Sequence, residues 1–139
     1  MKRIDTKYAI FMDSDIEVMC GGVIEEMLKQ VGAGMFYGIG EMVNTNDNGF
    51  TITNGEQHIK YLHPYFCLID RTMYFSWHKA INHGSPMIKA MKEIHEAEMS
   101  DILLHEFPVK DYIHHDWKGT RGLNRGNGPR GWLKNWDKV

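Results

Sequence analysis

Only two cysteines, Cys20 and Cys67, occur in the 139 residues, and each has apolar neighbours. Without spaced pairs, the chain has no disulfide framework of the kind that holds small secreted domains together. Long apolar runs are also missing, since none approaches the roughly 20 residues that a bilayer span requires. The opening MKRIDTKYAI has neither an extended apolar core nor a small-residue cleavage site, so it does not read as a secretion signal. Charge of one sign is scarce as well. A formal charge of −2 excludes a chain-wide footprint for nucleic acid. Together these absences predict a soluble, cytoplasmic protein with no nucleic-acid partner and no membrane span.

Apolar material is plentiful: 42% of the residues are hydrophobic, with six Phe, six Tyr, four Trp and ten Met. That is enough for a real core in one domain of ordinary size. Charge is uneven near one end, where Lys118 to Lys138 holds three Arg and three Lys against Asp137 alone. A local basic segment of this kind suits a phosphate or another anion better than a duplex.

The pattern alternates between strand-like and helical pieces. Tyr8 to Met12 (YAIFM) is a short apolar run ended by acids, which predicts a buried strand in a parallel or mixed sheet. Gly21-Gly22 breaks the chain, and Val23, Ile24, Met27, Leu28 and Val31 then follow at helical spacing, with Gly32 and Gly34 as stops. Met35 to Val43 is strand-like despite two glycines. Asn44 to Gly49 is a turn cluster whose Asn48-Gly49 signals a hairpin, with Phe50 to Thr53 as the returning strand. Tyr65 to Ile69 (YFCLI) is a second buried-strand candidate, followed by a helical segment from Arg71 to about Ala80.

Ser85-Pro86 predicts a helix start, the serine as cap and the proline in the first turn. Met87, Ile88, Met91 and Ile94 mark the buried face of that helix as far as Glu98. Leu103 to Val109 and Tyr112 to His115 are further strand candidates, and from Lys118 onward Gly, Asn, Arg and Lys predict a loop or tail. The chain thus divides into an α/β domain over residues 1–121 and a basic Gly/Arg/Trp-rich tail over 122–139.

Asp13-Ser14-Asp15 stands at the C-terminal end of the first strand, the end at which open α/β sheets bind ligands. Two carboxylates flanking one residue make a compact oxygen-rich site. It suits a hard divalent cation, Mg²⁺ or Mn²⁺, whose coordination substrate phosphates complete. The alternative is a solvated loop that caps the following helix. Haloacid-dehalogenase-like phosphatases also use Asp-x-Asp after a buried strand. They require a later lysine and a late acidic pair on another strand end, and no adjacent pair of that kind follows Asp15.

Beyond the motif, Pro64-Tyr65-Phe66-Cys67-Leu68-Ile69-Asp70-Arg71 resembles the strand and short helix beside the acceptor site of family 2 glycosyltransferases. Phe107 to Arg121, with His114-His115 and Gly119-Thr120, resembles that family's closing element. The resemblance covers about Tyr8 to Arg121. It implies a truncated GT-A-like fold, α/β with a mixed, mainly parallel sheet flanked by helices. It also implies a metal-dependent transfer of sugar from a nucleotide-sugar donor to an acceptor. In that family the Asp-x-Asp motif holds the metal that bridges the two donor phosphates and eases departure of the nucleoside diphosphate. Neutral imidazole suits such metals beside carboxylates. The implied metal ligands are therefore Asp13, Asp15 and His115. His115 fits the spacing to Gly119-Thr120 better than His114, and alternation along a strand lets only one of the two face the site.

Arg121, Arg125 and Arg130 form a candidate diphosphate-binding loop, because guanidinium pairs bidentately with phosphate. A solvated tail explains them equally well. Trp117, Trp132 and Trp136 could stack on sugar or base, or pack back onto the domain. The other six histidines (58, 63, 78, 83, 95 and 105) have no ligand spacing and read as surface or interface residues. An inverting transferase needs a general base. The resemblance looks for it among Glu93, Glu96, Glu98 and Asp101, and Asp101 is the choice.

Only twelve residues precede Asp13, whereas GT-A domains carry their nucleotide-binding strands there. A sheet begun this way exposes an edge, which proteins usually cover. The expectation is a homo-oligomer or a partner subunit completing the sheet. A fragment of a longer enzyme, and a non-catalytic interaction module that keeps half of the fold, remain beside it.

Overall fold

The computed structural model describes residues 5–52, 58–80 and 85–115. Strand β1 (Tyr8–Met12) leads through the Asp13–Asp15 turn into β2 (Ile16–Val18), followed by helix α1 (Val23–Val31) and strand β3 (Gly38–Thr45). The chain continues through β4 (Ile59–Asp70), α2 (Arg71–Ser76), α3 (Ile88–Glu96), the single turn α4 (Ser100–Leu103) and β5 (Leu104–Glu106). A 3-10 turn (Val109–Asp111) then precedes β6 (Ile113–His115).

The fold is α/β, with a four-stranded mixed sheet in the order β1-β4-β3-β5 and a separate β2-β6 ribbon. β1 and β3 both run antiparallel to β4, and only β5 lies parallel to β3. The expectation of a mainly parallel sheet is therefore corrected for the described residues. No helix among them is long and apolar enough to cross a membrane.

β4 explains why the sheet is covered on both faces. Successive strand side chains point to opposite sides. Phe66 and Leu68 join Val23, Met27 and Val31 of α1, while Cys67 and Ile69 join Met91 and Ile94 of α3. A strand buried on both faces reads as a continuous apolar run, as YFCLI does. β4 begins six residues before that run, at Ile59. Its first half is interrupted by His63 and Pro64, which hid it in the sequence.

β1 occupies its expected place but not its expected environment. It lies at one edge of the sheet as described, opposite β5, and only Ala9 is buried, with Ile10 44% and Met12 56% exposed. Apolarity alone does not distinguish a central strand from an edge strand whose outer face is open.

α1 follows its periodicity closely. Gly22 and Gly32, at its two ends, adopt the positive φ values of 85° and 59° that side chains disfavour. The Asn48-Gly49 turn also forms, with Asn46 Oδ1 accepting from the amides of Asn48 and Phe50 and Gly49 at φ 82°. Among the described residues its returning segment meets β3 at one Thr45–Thr51 bridge, flanked by bonds from Asn46 N to Phe50 O and from Ile52 N to Asn44 O, while the other edge of β3 pairs with β4. Ser85 does not cap α3; its hydroxyl donates to the carbonyl of Gly49 and ties that turn to the helix start. Leu103 to Val109 splits into the end of α4, β5 and the beginning of the 3-10 turn rather than forming one strand.

The two thiols differ. Cys67 lies wholly inside the sheet, where burial pushes its thiol well above the ordinary range, and Cys20 is exposed. A thiolate-selective reagent is expected to modify one cysteine rapidly in the native protein and the second only on unfolding. Two fast thiols would mean that β4 opens easily.

Candidate metal centre

The site forms where β1 ends. The amide of Asp13 donates to the carbonyl of Tyr65 at 2.8 Å, extending the β1–β4 ladder by one residue. The amide of Ile16 returns to the Asp13 carbonyl at 3.4 Å, so the chain turns at once into β2. β2 then pairs antiparallel with β6 in the register Ile16 to His115, Glu17 to His114 and Val18 to Ile113. That register sets His115 beside Asp15, whose Oδ1 lies 3.2 Å from His115 Nε2. One ligand atom each from Asp13, Asp15 and His115 lies within 4.8 Å of the others.

Alternation along β6 sorts the histidine pair. Ile113 is buried beneath the ribbon and His114 is exposed beside Glu17, whereas the His115 side chain is only 9% exposed. His115, not His114, meets the carboxylates.

Around this triad lies a second layer of polar groups. β3 and β4 lose register here: Gly40 pairs with Cys67 but Met42 pairs with Leu62, which leaves Glu41 opposite residues 63 to 66. Pro64 accounts for the break, because it has no amide to donate to the ladder. The bulge brings Tyr65 over His115, their rings stacked at 4.8 Å between centroids and 13° between planes. The Tyr65 hydroxyl donates to Glu41 Oε2, and Lys110 Nζ donates to Glu41 Oε1 at 2.5 Å. His63 meets Tyr65 edge-on at 4.7 Å. A pocket of about 290 Å³ opens between Tyr65, Lys110, Ile113, His114 and His115.

Charge in this layer is held in defined states. Burial favours the neutral form of Glu41, but the bonds from Lys110 and Tyr65 and the charge of Lys110 prevail and hold its carboxyl below the usual range. Burial likewise lowers the imidazolium of His63, against the pull of Glu41 and Asp13. The Tyr65 hydroxyl is pushed up by burial and by Glu41, so it stays a donor.

The other candidates lie elsewhere. Asp101 is exposed on α4, where it pairs with Lys60 at 2.9 Å, and that bond lowers its pKa. It does not belong to the Asp13–Asp15–His115 cluster. Glu93 accepts from the backbone amide of His78 and pairs with that imidazole at 2.8 Å, and Glu96 and Glu98 are exposed. Arg121, Arg125, Arg130, Trp117, Trp132, Trp136 and Gly119-Thr120 lie outside the described residues. Glu41, His63, Tyr65 and Lys110 were not singled out in the sequence as parts of a site. Pro64 inside an apolar strand was the one local sign that the ladder breaks there.

Compared with known protein families, with curated proteins and with solved structures, the chain shows no match.

Proposed function

We infer that Asp13, Asp15 and His115 hold a divalent cation, Mn²⁺ or Mg²⁺, and that the cation binds the diphosphate of a nucleotide-sugar donor in a GT-A-like, metal-dependent glycosyltransferase. The observation that carries this reading is the meeting of Asp13 and Asp15 with a histidine 100 positions further along the chain. The closing-element resemblance points to the same histidine. Two carboxylates and one imidazole are a donor set suited to Mn²⁺. An imidazole in third place, where the phosphatase alternative needs an acidic pair, favours the transferase. When bound, the cation would neutralise charge on the departing nucleoside diphosphate. The acceptor is unassigned, and Asp101, engaged with Lys60, carries no argument for the base.

Isothermal titration of the full chain with UDP- and GDP-sugars, with and without Mn²⁺, tests the reading. Donor binding that requires the metal supports it. Binding of neither metal nor donor would end it.

A second reading, an interaction module that assembles with itself or with a partner subunit, is favoured by one observation. The bonds Arg71 N to Lys7 O and Asp13 N to Tyr65 O fix the phase of the β1–β4 ladder. In an antiparallel pair every second residue between such points turns its backbone groups away from the partner. Ile10 and Met12 therefore present amides and carbonyls outward together with exposed apolar side chains. Such an edge is a template for another strand. The chain is expected to sediment as a dimer or larger species at about 100 µM, and Ile10→Lys to shift it to monomer. A wild-type monomer at that concentration would remove the self-association.

A further inference from the structure

His115 reaches the candidate centre from a short strand. β6 has three residues, and among the described residues it pairs only with β2, which is equally short. Main-chain pairing therefore sets where β6 lies but leaves the plane of the imidazole to side chains. Asp15 lies 3.2 Å from its Nε2 and the Tyr65 ring stacks on its face, and that tyrosine is in turn tied to Glu41. The hydroxyl of Tyr65 donates to one carboxylate oxygen of Glu41, and the face of the same tyrosine covers His115 at 4.8 Å. Lys110 donates to the other oxygen from the turn that leads into β6.

Glu41 is well placed for this task. It is the one β3 residue opposite the β4 bulge, and its side chain is 22% exposed. An exposed lysine pair alone would contribute little. Tyr65, however, is buried, at 1% exposure. Removing the carboxylate takes away the acceptor that its hydroxyl uses, and a ring no longer held at its tip can tilt off the imidazole.

We propose that Glu41 is a positioning residue for the Asp13–Asp15–His115 site: by holding the tip of Tyr65 and the Lys110 turn, it keeps the imidazole of His115 aimed at the two carboxylates. Its consequence for metal affinity rests on the metal reading above, whereas its consequence for the orientation of His115 does not. Outer groups that orient a ligand histidine are worth about 10- to 100-fold in metal affinity.

Mn²⁺ titration of the full chain followed by electron paramagnetic resonance reads the first consequence. Glu41→Ala is expected to weaken binding by about 10- to 100-fold and to diminish the nitrogen modulation that an imidazole ligand imprints on the Mn²⁺ signal. Glu41→Gln, which still offers Tyr65 an acceptor, should fall between Glu41→Ala and wild type. The double variant Glu41→Ala with His115→Ala should bind no more weakly than His115→Ala alone, because Glu41 acts through that ring.

The metal-free protein reads the second consequence. The His115 ring protons carry the ring-current shift of the stacked Tyr65, and Glu41→Ala should move them while the circular dichroism is retained. His115 proton shifts unchanged in Glu41→Ala would overturn the proposal. Additive losses in the double variant would do the same. A wild-type protein that takes up no Mn²⁺ would end the metal reading, and the ring shifts would still decide the role of Glu41.

Discussion

Asp15→Ala is expected to weaken Mn²⁺ binding by at least about 100-fold, beyond the range attributed to outer-shell groups, and to abolish metal-dependent donor binding with it. The Asp15 carboxylate lies 3.2 Å from His115 Nε2. Its loss removes one of three ligand groups and the partner that aims another. Asp13 and His115 alone would leave most of a hard cation's coordination to water and substrate. The loss corresponds to about 2.8 kcal/mol, since each tenfold is about 1.4 kcal/mol.

Stability of the metal-free protein should fall by about 1 kcal/mol, the net worth of a typical hydrogen bond, because the Asp15–His115 pair is largely buried, with His115 at 9% and Asp15 at 21% exposure. Asp15→Asn separates charge from shape. If it fails as Ala does, the negative charge is what the cation requires; if it binds normally, Asp15 only orients His115. Retention of full Mn²⁺ affinity in both variants would show that the metal, if bound, sits elsewhere.

The fold was legible where one physical signal acted alone. α1 follows its apolar spacing and is bounded by Gly22 and Gly32 in conformations that favour glycine. The Tyr65–Ile69 run is buried on both faces, and its unbroken apolarity said so. β1 was legible as a strand but not as an edge, because Ile10 and Met12 would look the same under a neighbouring strand. The start of β4 was obscured because His63 and Pro64 occupy a stretch whose pairing is supplied by β3 through Met42–Leu62 and Val43–Tyr61. Sheet direction was misjudged for a similar reason: apolar runs report burial, and burial on both faces is not confined to parallel strands.

At the site, Asp13 and Asp15 were visible from local spacing, and His115 from order along the chain together with alternation. Glu41 and Lys110 were not, since they are 69 positions apart and nothing near either one announces the other. Asp101 was chosen by its interval in the sequence. A surface lysine, Lys60, is its partner, so sequence position and spatial position diverged. What a sequence encodes locally is the carboxylate pair at a strand end. The groups packed around that pair are tertiary, and they meet here at a bulge beside a single proline.

The same bulge depends on the glycine before it, which makes Gly40→Val the substitution expected to cost the fold most. A Cβ built on Gly40 would lie 2.9 Å from the Cβ of Cys67 and 3.0 Å from the carbonyl oxygen of Phe66. Both are held by the β4 backbone, so neither can swing aside as the end of a flexible chain would. Gly38 is also crowded, but its nearest neighbours are the side-chain ends of Leu62 and Ile69 at 2.3 and 2.8 Å, which have some freedom to repack.

Overpacking of this kind costs about 1–3 kcal/mol and occasionally more. Valine at Gly40 belongs at or above the upper end, because relief requires moving β3 away from β4. Gly40 also accepts from the amide of Phe107 at 2.9 Å, so the displacement reaches the segment leading to Lys110. Urea denaturation should lower the stability of Gly40→Val by about 3 kcal/mol, a large share of the roughly 5–15 kcal/mol typical of a domain. Gly21→Ala, where an added Cβ meets nothing within 4 Å, should stay within about 0.5 kcal/mol of wild type. Metal affinity should fall in Gly40→Val and not in Gly21→Ala, because Glu41 follows Gly40 directly. A Gly40→Val protein as stable as wild type would mean that β3 and β4 pack less closely than described, and the bulge that carries Tyr65 to His115 would then need another origin.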